Sequence, residues 1–395
     1  MVDRPHYLDW LNRWKDKDVI KVAVGMRRCG KSTVLKMFQD SLRSQGVPAS
    51  NIIAINFESL DEEYPLTARE LYRYVVERLA PGINYVFLDE VQHVEDFERA
   101  VDGLHVRDDV DLYITGSNAF FLSGELATLL TGRYVELRVL PLSFSEYHSA
   151  RPEENPETAF NRYLSYGGLP YTLSLQSEAD IADYLGGVFN TVIVKDIAAR
   201  NPRMDVRAFE AVASYLADNV GNITSQQKIA RGLEAAGRKT SAMTVGSYVE
   251  ALASSYLLYE ARRFDVRGKD HLASLEKYYL GDLGLRFWLL GRSQGDVGHR
   301  VENAVYLELL NRYRSVSVGV LRGGEIDFVA MGDEGPRYYQ VSLTVLDEAT
   351  LERELAPLRA VRDNYPKTLL TLDRVGVGDR EGIRQENLLD WLLTG

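Results

Sequence analysis

The nine residues GMRRCGKST, Gly25 to Thr33, constrain the fold more than any other stretch of this chain. They match G-x-x-x-x-G-K-[ST], and both neighbours suit the pattern: the β-branched run VIKVAV (19–24) before it and the helical stretch KSTVLKMFQDSLRSQG after it. The glycines let the loop curl so that successive backbone N–H groups point at phosphate oxygens. The following helix N-terminus adds partial positive charge. Across Gly25, Met26, Arg27, Arg28, Cys29, Gly30, Lys31, Ser32 and Thr33, the pattern gives two side chains defined work. Lys31 reaches the β- and γ-phosphates, and the Ser32 hydroxyl ligates Mg²⁺. Arg27 and Arg28 can neutralise phosphate charge, or one can pair with a carboxylate. Cys29 reads as a small loop residue rather than a redox switch.

A loop of this kind needs an acidic partner on a neighbouring strand. NYVFLDE (84–90) ends an apolar run in Asp89 and Glu90. Asp89 can hold the Mg²⁺ shell while Glu90 orients or deprotonates the attacking water. The doublet separates the chain from kinases and small GTPases and points to the P-loop branch with an added strand and a catalytic glutamate. The next strand, VDLYITGSNA, ends in Thr115, Ser117 and Asn118, placed to contact the γ-phosphate or the water, although such residues also make ordinary turns. Arg133 opens the fifth run, YVELRVL, and is either an arginine finger supplied to a neighbouring subunit or a surface cation. Together with IIAINF (52–57), these runs lack polar alternation, as strands covered on both faces do. The helical stretches between them, one ending at Gly46 and one opening with Thr67 and Glu70 at capping-box spacing, predict a parallel sheet with crossover helices.

Beyond Pro141 the pattern turns helical. Residues 206–264 give three short helical patterns and a strand pair ending at the basic turn DVRGKD, the layout of a winged helix. Arg262, Arg263, Arg267 and Lys269 cluster there as a tentative duplex-DNA contact, against the alternative of a solvated face or a protein contact. Net charge bears on this reading: the chain is −11, which argues against a chain-wide nucleic-acid coat, yet residues 221–300 carry 12 basic against 8 acidic groups. The single cysteine fits a reducing compartment. No apolar run approaches the ~18 residues of a membrane span, and the start MVDRPHYLDW lacks a signal peptide's apolar core. A cytoplasmic protein without a membrane partner is expected.

The blocks GMRRCGKST, FLDEVQ, ITGSNAFFL, TGRYVELRVLPLSFSEY, YGGLP, VKDI, KYYLGDLGL, VENAVYLEL, EIDFVA, YYQVSLTV and DNYPKTLLTLD, in this order, span essentially the whole chain. In them the chain resembles prokaryotic AAA-type ATPases of the archaeal-ATPase-like kind with a C-terminal domain of unknown function. The resemblance implies an α/β fold in three parts: a P-loop NTPase parallel sheet with a helical lid (1–202), a winged helix (203–275), and a small α/β domain similar to restriction-type nucleases (276–395). It also implies ATP as ligand. In a nuclease-like tail, Glu302 would be the helix carboxylate and Asp327 the strand carboxylate, but the third element reads Gln340-Val341-Ser342. Glutamine brings no charge to a Mg²⁺ site, and serine removes the lysine that would stabilise developing phosphate charge. Lys367, from the neighbouring strand, is the available replacement cation. Glu302 and Asp327 are therefore expected to act as structural hydrogen-bond partners.

The leading expectation is a Mg²⁺-dependent ATPase binding ATP and ADP, acting as a homo-oligomeric, DNA-associated switch or motor. A signalling or defence switch in which ATP gates partner contacts would instead turn over slowly and ignore DNA. An ATP-regulated nuclease would show itself in a metal-dependent cleavage assay.

Overall fold

A computed structural model describes residues 2–59, 64–117, 132–198, 201, 203–266, 268, 270–291, 297–322 and 324–394, leaving aside the side chains of 194–195 and 270–275. The chain forms two compact units, residues 1–140 with 254–256, and residues 141–253 with 257–395.

The first unit is a five-stranded sheet of β1 (Ile20–Val24), β2 (Ile52–Asn56), β3 (Asn84–Asp89), β4 (Val110–Gly116) and β5 (Tyr134–Arg138). The order is β2-β3-β4-β1-β5, every neighbouring pair parallel. β4 thus lies between the strand feeding the glycine loop and the strand carrying the acidic doublet, the added strand that the doublet predicted. β1 and β3 are buried along their whole length, which is why their sequences show no alternation. Helix α1 (Pro5–Trp14) precedes the sheet, and α2 (Lys31–Ser44) follows the loop. α2 buries Val34, Leu35, Phe38 and Leu42 on one face, Phe38 lying against Phe87 and Tyr113. Gly46, with φ +92°, lies two residues past the end of α2. Helix α3 (Ala68–Val76) begins with the expected capping box between Thr67 and Glu70, and α4 (Phe97–His105) covers the crossover into β4.

Register places the strand ends that matter on one edge. Val24 is level with Gly116 and Arg138, and Asn56 with Asp89. Leu88 is level with Ile114, so Asp89 meets Thr115. A parallel sheet brings all its carboxyl ends to the same side, the general location of ligand sites in open α/β sheets.

The second unit opens with α5 (Phe144–Ser149), α6 (Pro156–Tyr166) and α7 (Glu178–Thr191), the last running into a π-helical stretch, Val192–Ala198. Helices α8 (Val206–Asp218), α9 (Gln226–Ala235) and α10 (Ala242–Ser254) follow, then a hairpin of β6 (Leu258–Asp265) and β7 (Asp270–Leu280). The three helices and strand pair occur in the expected sequence. The hairpin is not free-standing, however. β6 pairs in parallel with β8 (Ser315–Leu321), extending a sheet that contains β9 (Gly324–Gly332), β10 (Gly335–Ser342), β11 (Lys367–Thr371), β12 (Gly378–Arg380) and β13 (Ile383–Asn387). The order is β12-β13-β11-β10-β9-β8-β6-β7. Helices α11 (Leu283–Leu290), α12 (Val297–Arg312), α13 (Glu348–Ala360) and α14 (Leu388–Leu393) complete the unit.

A carboxylate knots two of its turns. Asp282 Oδ2 accepts from Gly168 N–H at 2.7 Å and Oδ1 from Gly284 N–H at 2.8 Å. Gly167 has φ +76°, and a Cβ there would stand 2.0 Å from Asp282 Oδ1, so only glycine fits. No helix among the described residues is long and apolar enough to cross a membrane.

Candidate functional site

The loop from Gly25 to Thr33 wraps the carboxyl end of β1. Gly25 has φ +150°, and a Cβ there would meet Val139 O at 2.1 Å. The tightness of the turn therefore comes from a backbone contact as well as from dihedral preference. Arg28 and Gly30 also take positive φ, at 67° and 106°, the second introducing α2. Cys29 is fully buried, its Sγ donating to Val139 O at 3.1 Å. Burial pushes its thiol pKa up, the signature of an inert packing residue. Arg27 pairs with Glu58 at 2.9 Å, and Arg28 is exposed.

Lys31 is buried, and its Nζ donates to Gly25 O (3.0 Å), Met26 O (3.2 Å) and Ser117 Oγ (3.0 Å), with Glu90 Oε1 at 3.7 Å. Asp89, the last residue of β3, and Glu90, which follows it, are both buried. Thr115 Oγ1 donates to Asp89 Oδ1 at 2.6 Å and accepts from Glu90 N–H at 2.8 Å, so one hydroxyl holds both members of the doublet. Asp89 also accepts a hydrogen bond from the Ser32 side chain. Burial raises the Asp89 pKa, and the Thr115 and Ser32 hydroxyls offset only part of that effect.

Glu90 lies in the left-handed region, φ 55°, a conformation that costs energy in a non-glycine residue and recurs at functional sites. Its carboxylate accepts from Ser117 Oγ and from Gln92 Nε2. Burial would raise its pKa, but the Lys31 charge, the Ser117 and Gln92 hydrogen bonds and the Arg27 charge together hold it below the ordinary glutamate value. The arrangement is a buried carboxylate kept charged beside a buried ammonium, with a hydroxyl between them.

A brace behind the loop carries no motif. Arg4 is buried, its Nη1 donating to Cys29 O at 3.2 Å and its Nη2 to Leu140 O at 2.9 Å, with its guanidinium over the Tyr7 ring. Tyr7 Oη accepts from Leu140 N–H at 2.9 Å. The back of the loop is thereby tied to the chain just beyond β5.

The other expected residues fall in different places. Asn118 lies outside the described residues, and Ser117 is the polar group at the end of β4 that reaches Lys31 and Glu90. Arg133 precedes β5, where Ile20 N–H donates to its carbonyl, and Tyr134 is level with Ile20. It is therefore at the amino end of the sheet, a strand length of roughly 13 Å, at ~3.3 Å per residue, from its own loop. Its side chain pairs with Asp102 at 2.6 Å. Arg262 is exposed and paired with Glu260 at 3.3 Å, and Arg263 is half-buried. Arg267 and Lys269 lie outside the described residues.

In the tail, Glu302 accepts from Tyr279 Oη at 2.7 Å. Asp327 Oδ2 accepts from Val341 N–H at 2.9 Å, and Gln340 spans Asp327 N–H and Glu354 Oε2. Ser342 donates to Thr344 O, and Lys367 donates to Asp363 O at 2.7 Å. The cation among these acids is Lys277 of β7, which is buried, ion-paired with Glu325, and 3.7 Å from Glu302. Burial pushes the Asp327 carboxyl pKa well up, and Glu302 adds to the effect. Among the described residues, no group of three or more His, Cys, Asp or Glu side chains is disposed to hold a metal ion.

Sequence reasoning did not find Arg4, Gln92 or Lys277. Gln92, two residues past Glu90, offered a local signal; Arg4 and Lys277 are joined to their partners only by the fold.

Comparison with known proteins agrees with this geometry. The family model of an AAA domain matches residues 17–148, and that of a domain of unknown function (DUF8612) matches residues 157–296. An uncharacterized protein of Haemophilus influenzae is 36% identical over 399 residues, covering 100% of this chain and 99% of that protein. An uncharacterized protein of Methanocaldococcus jannaschii is 27% identical, covering 91% of this chain and 81% of its own length. Among solved structures, a Walker-type ATPase of Pyrococcus abyssi is similar in fold, with a TM-score of 0.52 at 15% identity, covering 73% of this chain and 96% of that one.

Proposed function

Because the chain belongs to the AAA-type P-loop ATPases that carry a C-terminal domain of unknown function, we propose that it binds and hydrolyses ATP at the Gly25–Thr33 loop and works as a DNA-associated homo-oligomer. The observation that carries hydrolysis, rather than binding alone, is the buried, charged Glu90 held beside Lys31 by Ser117.

Lys31 binds the β- and γ-phosphates, exchanging the carbonyls of Gly25 and Met26 for phosphate oxygens. That exchange weakens its hold on Glu90. Glu90 then takes the proton of the attacking water as its oxygen bonds to the γ-phosphorus and the bond to the β-bridging oxygen breaks, giving ADP and phosphate. Ser32 and Asp89, a hydrogen-bonded pair of hard oxygen donors, suit Mg²⁺ and would hold it there, where it neutralises phosphate charge. Thr115 keeps Asp89 and Glu90 in register with each other. Arg133, at the far end of the sheet from its own loop, can serve a phosphate site only in a neighbouring copy.

Phosphate release and nucleotide affinity, measured together, test this reading. Glu90→Gln should keep ATP and lose turnover by roughly 10²- to 10⁴-fold, because the amide still holds water but takes no proton. Lys31→Ala should weaken nucleotide binding itself. Wild-type turnover in Glu90→Gln would remove Glu90 from the reaction.

A nuclease reading of the tail has less support. Lys277 stands among the acids, Gln340 bridges Asp327 and Glu354 by hydrogen bonds, and Lys367 is held at Asp363. Those contacts suit a structural polar cluster.

A further inference from the structure

Gln92 holds Glu90 with one end of its amide and leaves the other end idle. Its Nε2 donates to Glu90 Oε2, while its Oε1 is buried and has no hydrogen-bond partner. A charged carboxylate only accepts, so the NH₂ end faces Glu90 and the carbonyl points elsewhere. Native structures pair nearly all buried acceptors, and an exception calls for a role.

The backbone fixes the placement. Glu90 stands in the left-handed region at φ 55°, and a 3₁₀ turn, Val91–His93, follows at once. His93 N–H donates to Glu90 O at 3.2 Å and Val94 N–H to Val91 O at 3.0 Å. The turn folds Gln92 back onto the carboxylate two positions earlier. Both ends of an amide share one carbon, so its free carbonyl lies within the span of a single water from that carboxylate.

We propose that Gln92 is a second catalytic residue of ATP hydrolysis: its side-chain carbonyl accepts the proton that the attacking water keeps, while Glu90 accepts the one it loses. The assignment rests on the hydrolytic reading above and deepens it. Water attacks phosphorus through a lone pair, which is aimed only when both O–H bonds are held. Glu90 holds one. Lys31 has only N–H bonds to give, and Ser117 already donates to Glu90 and accepts from Lys31. Thr115 spends its hydroxyl on Asp89 and the Glu90 N–H. Of these groups, the Gln92 carbonyl is the acceptor left. As the water oxygen bonds to the γ-phosphorus, the bond to the β-bridging oxygen breaks and its electron pair leaves with ADP. One proton passes to Glu90. The other stays on the new phosphate hydroxyl, still donated to Gln92 Oε1.

The test compares the full-length wild type with Gln92→Met, which keeps the bulk and removes both ends of the amide. The measurements are kcat from pH ~6 to ~9, and affinity for ADP alone and for ADP with aluminium fluoride, a planar mimic of the phosphoryl group in flight. Loss of the bond from Gln92 lets burial lift the Glu90 carboxyl, so the acidic limb of the pH profile should move to higher pH. Above pH ~8 Glu90 is charged in either protein, yet kcat should still stand roughly 10- to 100-fold below wild type, because the water is no longer aimed. Affinity for ADP should change by less than ~2-fold, and affinity for the aluminium fluoride complex should fall at least ~10-fold. Full recovery of kcat above pH ~8 would overturn the assignment, leaving Gln92 only as a prop for the Glu90 charge. Wild-type affinity for the aluminium fluoride complex would overturn it as well. Gln92→Ala repeats both measurements should methionine disturb the turn. A wild type that binds ATP without turning it over would bring down the hydrolytic reading and this assignment together; the first two results bring down the assignment alone.

Discussion

Thr115 is a single hydroxyl on which two catalytic candidates depend. It donates to Asp89 and accepts from the backbone of Glu90, and that backbone is itself in the costly left-handed region. Thr115→Val keeps the shape and removes both bonds, leaving a buried N–H unpaired at a cost of ~1–3 kcal/mol. It also raises the Asp89 pKa further, because the hydroxyl works against burial there. We expect Thr115→Val to lower kcat by roughly 10- to 100-fold with nucleotide affinity little changed, and Thr115→Ser to restore most of the rate. Equal kcat in Thr115→Val and wild type would show that the hydroxyl is not part of the positioning. Chemistry at this scale was largely readable in the sequence. Lys31, Ser32, Asp89 and Glu90 belong to local patterns whose geometry follows from a strand end and a helix start. Glu90 has a charged partner 59 positions earlier only because β4 seats Ser117 between β1 and β3.

At the scale of elements, the knot between the YGGLP turn and the start of α11 has a titration of its own. Burial pushes the Asp282 carboxyl up to about 6, although the N–H groups of Gly168, Gly284 and Leu169 pull the other way. Between the ordinary value near ~3.9 and about 6, the folded protein keeps a proton that the unfolded chain releases. Stability contributed by this group is thus present at low pH and is lost as pH rises through that window, on the order of 3 kcal/mol at ~1.4 kcal/mol per unit. Asp282→Asn cannot titrate. In urea unfolding from pH 4 to 7, the wild type should lose stability relative to Asp282→Asn; parallel curves would mean that Asp282 titrates alike in both states. Elements written in short-range code, such as the capping box of α3 and the glycine after α2, were legible beforehand. The pairing of β6 with β8 was not, because no periodicity in either strand announces a partner more than 50 residues away. Lys277 reaches its acids by the same long-range route.

For the whole molecule, the proposed role of Arg133 is what would make one copy insufficient. Its position at the amino end of β5 keeps it from its own phosphate loop, and its present partner is Asp102 on the same surface. An arginine supplied across an interface contributes on the order of 10³ or more in rate in other P-loop enzymes. Activity per subunit should therefore rise with protein concentration, and Arg133→Ala should abolish the rise while sparing ATP binding. A rate independent of concentration in a strict monomer would return Arg133 to the surface cations.

The buttress formed by Arg4 and Tyr7 also bears on where this protein can be cut. The AAA match begins at residue 17, so a fragment trimmed to that boundary discards both side chains. It would leave the carbonyls of Cys29 and Leu140 and the Leu140 N–H to find other partners. Such a fragment would contain every residue of the phosphate motif and lack the scaffold that holds it taut.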